Sequence, residues 1–216
     1  MQKFLSKSLV FLSLLIISAC QTPYHSGYRK ADNPIASKDI LVEHYDKLWF
    51  NTHIEAFGKE LSGILVIKNK PKNTRQMALV SPMGMTYFEV EQNDSTFEFK
   101  KILPFLDKTN VKLLLQSDIE LLLAVPDTNN QDKYFEHKKL SRQLIRSQIN
   151  GRLIYFEYGE YGIVKKELCN RIKIKTSINY EYQGRGLPQT INILHHGLPI
   201  SWQLSPIKSQ LKEEKQ

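Results

Sequence analysis

Cysteine is nearly absent: Cys20 and Cys169 are the two in 216 residues. So few thiols rule out a disulfide framework. The chain also lacks a phosphate-cradling glycine loop, an HExxH pair and a nucleophile elbow. Those absences remove the usual signatures of nucleotide, metalloprotease and hydrolase chemistry, so we expect no enzyme, no cofactor and no metal. Lysine and arginine outnumber acidic residues 30 to 22, yet the excess is scattered and forms no basic block. Nucleic acid is therefore not an expected partner; weak attraction to anionic headgroups is the alternative to a plain solvated surface. No internal repeat is visible. The longest early apolar run, Leu9 to Ile17, is too short for a stable membrane span.

What stands around that run is informative. Lys3 and Lys7 precede it, and Ile17-Ser18-Ala19-Cys20 closes it. A charged start, a short apolar core and small residues before a cut site make a secretory signal peptide over residues 1–19. The cysteine at the cut resembles the bacterial lipobox, where cleavage leaves an acylated N-terminal cysteine. That resemblance implies lipidation of Cys20 by palmitate-like chains. Each buried CH₂ of such a chain contributes about 0.8 kcal/mol, so two or three chains hold a protein on a membrane. In bacterial lipoproteins an aspartate after the cysteine favours the inner membrane; Gln21 stands there instead, which implies the outer membrane. Loss of Lys3 and Lys7 lowers the formal charge from +8 to +6. Cys169 is then a lone thiol and reads as a small core residue.

Residues 20–39 carry Pro23, Ser26, Gly27, Pro34 and Ser37 and few large aliphatics, and read as a flexible tether. Residues 40–207 make one domain, and 208–216 form a charged tail. Ile40, Leu41, Tyr45 and Leu48 lie near helical spacing, predicting a short helix to about Trp49. Strands follow at Gly63 to Ile67, Arg75 to Val80, Met85 to Glu91 and Thr96 to Lys100. Phe88 and Val90 share a face. Val111 to Val125 is bunched at helical spacing, with Leu115, Ile119 and Leu122 among its apolar residues, and Pro126 stops it. So apolar a helix must have one broad face covered. Gly151 to Tyr158 is a further strand.

Arg171 to Tyr182 alternates most cleanly. It puts Ile172, Ile174, Ile178 and Tyr180 on one face, as in an antiparallel sheet with one side in a core. Ile191, Ile193, Leu198, Ile200 and Trp202 belong to the same side. The predicted fold is mainly β: an incomplete antiparallel barrel, or half barrel, with a helical insertion covering an apolar hollow. A plain filled core has the same pattern. His195 and His196 would point to opposite faces of an extended strand and read as solvated turn residues. His44 and His53 have no ligand partner at a diagnostic spacing. Asp118 and Glu120 read as the solvated edge of the helix.

The turn Ser81-Pro82-Met83-Gly84-Met85 places a large apolar residue where its own hairpin cannot bury it. With its flanking strands, Leu79 to Val90, it is similar to the strand, Asn-Pro-Leu-Gly turn and strand of the LolB family of outer-membrane lipoprotein receptors. Ser81 stands for that asparagine and Met83 for that leucine. The lipobox, tether, apolar helix and closing strands Thr190 to Leu204 follow the same order; Tyr155 to Lys166 has no counterpart. The resemblance to the wider LolA/LolB-like group implies a lipid-binding, chaperone-like carrier, anchored in the outer membrane and facing the periplasm. It would accept acyl chains of lipoproteins from a periplasmic LolA-like carrier and deliver them to the bilayer. Pro82, Met83, Gly84 and Met85 would form a membrane-insertion tip. Phe88, Val90, Leu115, Ile119, Leu122, Ile172, Ile174, Ile178, Tyr180, Ile191, Ile193, Ile200 and Trp202 would line the cavity. The alternatives are a carrier of another amphiphile, such as a glycolipid, and a structural outer-membrane lipoprotein that binds an assembly partner.

Overall fold

The computed structural model describes residues 27–31, 45–71, 74–93, 96–126, 132–170 and 173–207. The expectations for Cys20, Gln21, His44, Ile172 and the charged tail lie outside them. The described residues form one antiparallel sheet of 13 strands and one helix. The strands are β1 Tyr28–Lys30, β2 Lys47–Ala56, β3 Lys59–Lys70, β4 Thr74–Val80, β5 Thr86–Gln92, β6 Phe97–Ile102, β7 Lys133–His137, β8 Gln143–Ile149, β9 Arg152–Tyr158, β10 Ile163–Asn170, β11 Lys173–Glu181, β12 Thr190–His195 and β13 Ile200–Pro206. The helix, α1, is Thr109–Leu123, between β6 and β7. In space the strands run β1-β7-β8-β9-β10-β11-β12-β13-β2-β3-β4-β5-β6. The sheet is open: β1 and β6 are its edges, and α1 lies on its apolar face, as the half-barrel reading requires.

Period-2 sequence drives this. In β2, Leu48, Phe50, Thr52 and Ile54 are buried in alternation with Lys47, Trp49, Asn51 and His53. β12 and β13 repeat it with Ile191 and Ile193, then Ile200, Trp202 and Leu204. The register sets Ile178 against Ile193 and Tyr180 against Ile191. It also sets Ile193 against Trp202 and Trp202 against Ile54. One apolar stripe therefore crosses four strands, β11, β12, β13 and β2, and burying each such side chain contributes roughly 1.5–3 kcal/mol. Register shifts at Leu79/Val80, Glu89/Val90, Ile163/Lys165 and Leu168/Cys169 insert single residues into the arms of the sheet. Such bulges bend strands and raise twist, which is how a long sheet curls. Gly63 permits one close approach: a Cβ there would stand 2.3 Å from the Val80 carbonyl oxygen.

Several expectations are corrected. Lys47–Trp49 is strand, not the end of a helix, because Leu48 and Phe50 go into the core on alternate residues; residues 40–44 lie outside the described part. Tyr28–Lys30, read as tether, pairs with β7. The helix begins at Thr109 and ends at Leu123, and Ala124 is already extended at φ −62°, ψ 134°. Leu198 belongs to the turn before β13 and is exposed, not inward. β7, β8 and β10 are strands that the sequence pattern does not predict.

Candidate functional site

α1 is held in the concavity by polar groups of the sheet. Its sequence supplies no cation in its last turn and no side-chain cap at Lys108. The sheet supplies both cations instead. Lys166 of β10 donates from Nζ to the carbonyls of Leu122, at 2.8 Å, and Ala124, at 2.9 Å. Arg75 of β4 donates from Nη1 to the Leu123 carbonyl at 2.8 Å. The last helix carbonyls are unpaired within the helix and carry its negative end, so two cations from opposite arms satisfy them. Lys166 is fully buried. Its ammonium also stands 5.9 Å from the Phe156 ring centroid and 5.6 Å from that of Tyr180. Such a charge is tolerable inside because carbonyls and π-faces stand in for its water.

The middle of α1 carries a second contact. His195 Nε2 lies 2.9 Å from each Asp118 carboxylate oxygen, and the two side chains are 5% and 2% exposed. Burial pushes the Asp118 carboxyl up, and the His195 contact pulls it back. Asp118 is therefore no solvated helix edge and His195 no solvated turn residue: both face the interior, because Asp118 lies on the face of α1 that also buries Leu115 and Leu122. His196 contacts Ser177 Oγ through Nε2 at 3.0 Å. Glu120 is bridged to Arg152 Nη1 of β9 at 2.7 Å and receives Gln116 Nε2 at 2.7 Å. Four strands thus hold the helix through named side chains.

Beneath and around α1 lies the apolar interior. Phe88, Val90, Leu115, Ile119, Leu122, Ile178, Tyr180, Ile191, Ile193, Ile200 and Trp202 are all buried and belong to one contiguous core. Ile174 is half-buried at the end of its strand. α1 occupies the space these residues enclose. Open clefts lie elsewhere among the described residues, one of them, of about 450 Å³, at the C-terminal end of the helix. Arg75 and Gln92 line it from one arm, Arg152, Ile154 and Leu168 from the other, and Glu120, Leu121 and Leu123 from α1.

The β4–β5 turn is locally built. The Ser81 amide donates to the Met85 carbonyl at 2.8 Å, and the Gly84 amide to the Ser81 carbonyl at 2.9 Å. The Met85 amide donates to Ser81 Oγ at 3.0 Å. Gly84 sits at φ +82°, where glycine is favoured. Buried Ser81 thus fixes a turn that leaves Met83 91% exposed and Met85 47%.

Two further features have no place in that arrangement. His53, Glu55 and Glu60 bring ligand-type atoms within 4.8 Å of one another on the outer face of β2–β3. The hairpin register, not chain spacing, pairs Glu55 with Glu60, and both also line a shallow cleft with Lys59 and Leu198. Cys169 is half-buried, and burial pushes its thiol up to about 11, with Glu167 adding to the rise.

No family model and no curated protein matches the chain. Solved structures do. A LolA superfamily protein from Nitrosomonas europaea aligns at 10% identity and TM-score 0.42 over 74% of this chain and 83% of its own. A DUF1329 family protein from Desulfovibrio piger aligns at 8% and 0.44 over 77% and 86%. A domain described as an outer membrane lipoprotein-sorting protein, from Vibrio parahaemolyticus, aligns at 10% and 0.41 over 74% and 82%. The chain is thus similar, at low identity, to structures that include a member of the LolA superfamily.

Proposed function

We propose that this protein is a lipid-anchored carrier at the outer membrane that takes acyl chains under α1 and delivers lipoproteins to the bilayer. The observation that carries the reading is the cover. Among the described residues a single helix lies over an apolar concave face, and it is held at three places by polar side chains of the sheet. Exchanging helix for acyl chain keeps the apolar face dry, at about 0.8 kcal/mol per buried CH₂ on either side of the exchange. No covalent chemistry is needed. Loading and release follow from differential affinity between donor, carrier and membrane. Cys20 would keep the body at the surface, while Met83 and Met85 enter the bilayer; an unbranched thioether side chain adapts to mixed acyl chains. A periplasmic carrier of the LolA type would be the donor.

Mass spectrometry of lipid retained after gentle purification tests this. Acylated lipoproteins or phospholipids in stoichiometric amount are the expected result. Lipid-free protein that also fails to take up added acyl chains would sink the reading. Capture of one dominant protein instead of several lipoproteins by surface cross-linking would favour a structural lipoprotein. A glycolipid as the retained species would favour the second carrier reading, which the mixed polar and apolar lining of the cleft supports.

A further inference from the structure

The cleft at the end of α1 combines a charged rim with an apolar floor. Arg75 and Arg152 reach it from opposite arms of the sheet, and Glu120 is the acidic residue among its described lining groups. Leu121 and Leu123 of α1, with Ile154 and Leu168, supply apolar surface beside them. An anion at a helix C-terminus is ordinarily disfavoured. Here Lys166 and Arg75 already occupy the last carbonyls, so the negative end of the helix is covered before any ligand arrives. Arg152 keeps its side chain 39% exposed and is bonded through Nη1 to Glu120. A guanidinium offers five N–H donors in a planar fork, which fits the oxygens of a carboxylate or phosphate. A volume of about 450 Å³ is also within the range of small-molecule sites.

We infer that this cleft is the headgroup site of an anionic amphiphile: a carboxylate or phosphate head lies between Arg75 and Arg152, and its chain runs along Leu121, Leu123, Ile154 and Leu168 toward the core. The inference rests on the carrier reading and adds the substrate class to it. Calorimetric titration of the purified protein with four probes below their micellar concentrations tests it: dodecyl phosphate, dodecyl maltoside, dodecyltrimethylammonium and inorganic phosphate. Dodecyl phosphate should bind at least about tenfold more tightly than the neutral and cationic detergents, a difference of about 1.4 kcal/mol. Inorganic phosphate should neither bind measurably nor compete. Arg152→Gln should cost that tenfold for dodecyl phosphate alone, and Arg152→Lys should recover part of it. Equal affinity for the three detergents, unchanged by Arg152→Gln, overturns the inference and leaves the carrier reading standing. Inorganic phosphate binding as tightly as dodecyl phosphate overturns it in favour of a free-anion site. Failure of all three detergents to bind overturns both.

Discussion

The helix cover and the β4–β5 turn solve opposite problems. At α1 the polar groups are inside: the side chains of Lys166, Asp118 and His195 are buried and hold a helix that has no side-chain N-cap and no basic residue in its last turn. In the turn the apolar group is outside: Ser81 is buried and Met83 stands out at 91% exposure. The turn is closed by hydrogen bonds within five residues, whereas the cover is held by contacts that span 44 and 77 residues. Contacts local in sequence close the tip, while contacts distant in sequence seat the cover, and in the proposed function it is the cover that moves.

The largest expected effect comes from the cover. Lys166→Met removes the donor from two carbonyls and leaves them buried, which should cost about 2–4 kcal/mol. Denaturant unfolding checks this, and an unchanged midpoint would show that the charge does not hold the helix. Asp118→Ala should follow at about 1–3 kcal/mol, and a double-mutant cycle with His195→Ala should give a coupling near 1 kcal/mol or more. Independent effects would mean that the two side chains do not act as a pair.

Changes at the turn should be smaller in stability and larger in delivery. Gly84→Ala forces a side chain into φ +82° with open space around it, so the cost is conformational alone, about 1 kcal/mol. Met83→Glu should leave stability and lipid uptake unchanged while slowing transfer to liposomes, because burying methionine in lipid contributes roughly 1.5–3 kcal/mol and glutamate forfeits it. Met83→Leu should be nearly neutral. Equal transfer rates for Met83→Glu and wild type would end the membrane role of the tip.

Cys169 gives the smallest effect. Its thiol, raised to about 11, is neutral in the folded state at ordinary pH. A raised thiol contributes stability that is complete below the unfolded value of about 8.5 and is lost as pH rises through about 11. Alkylation by iodoacetamide should therefore be slow at pH 8 and speed up toward pH 11. Rapid labelling of folded protein at pH 8 would contradict the burial.

The same contrast explains what could be read from the sequence. The turn is a local motif, and Pro-Gly with a large apolar residue between them announces it. α1 was legible as a helix from its bunched leucines, and the alternation from Arg171 to Tyr182 gave the buried face at Ile178 and Tyr180, though Ser177 on the opposite face is buried as well and Ile174 only half-buried. β9 was legible, but β8 and β10 were not, because Ser147 is buried in β8 with Leu144 and Ile145, and Lys166 and Glu167 are buried side by side in β10, and two-sided burial erases the period of two. The anchors of the cover were illegible for another reason. Nothing in the spacing of Asp118 and His195, or of Lys166 and Leu122, signals that register and helix placement bring them together.

In the proposed function acyl chains enter beneath α1. A photoreactive fatty acid, activated after loading and mapped by peptide mass spectrometry, tests that most directly. Labels are predicted on α1 and on the inner residues of β11 to β13, such as Ile178, Ile193 and Trp202. Labels confined to the Met83 turn and the outer face of the sheet would contradict it.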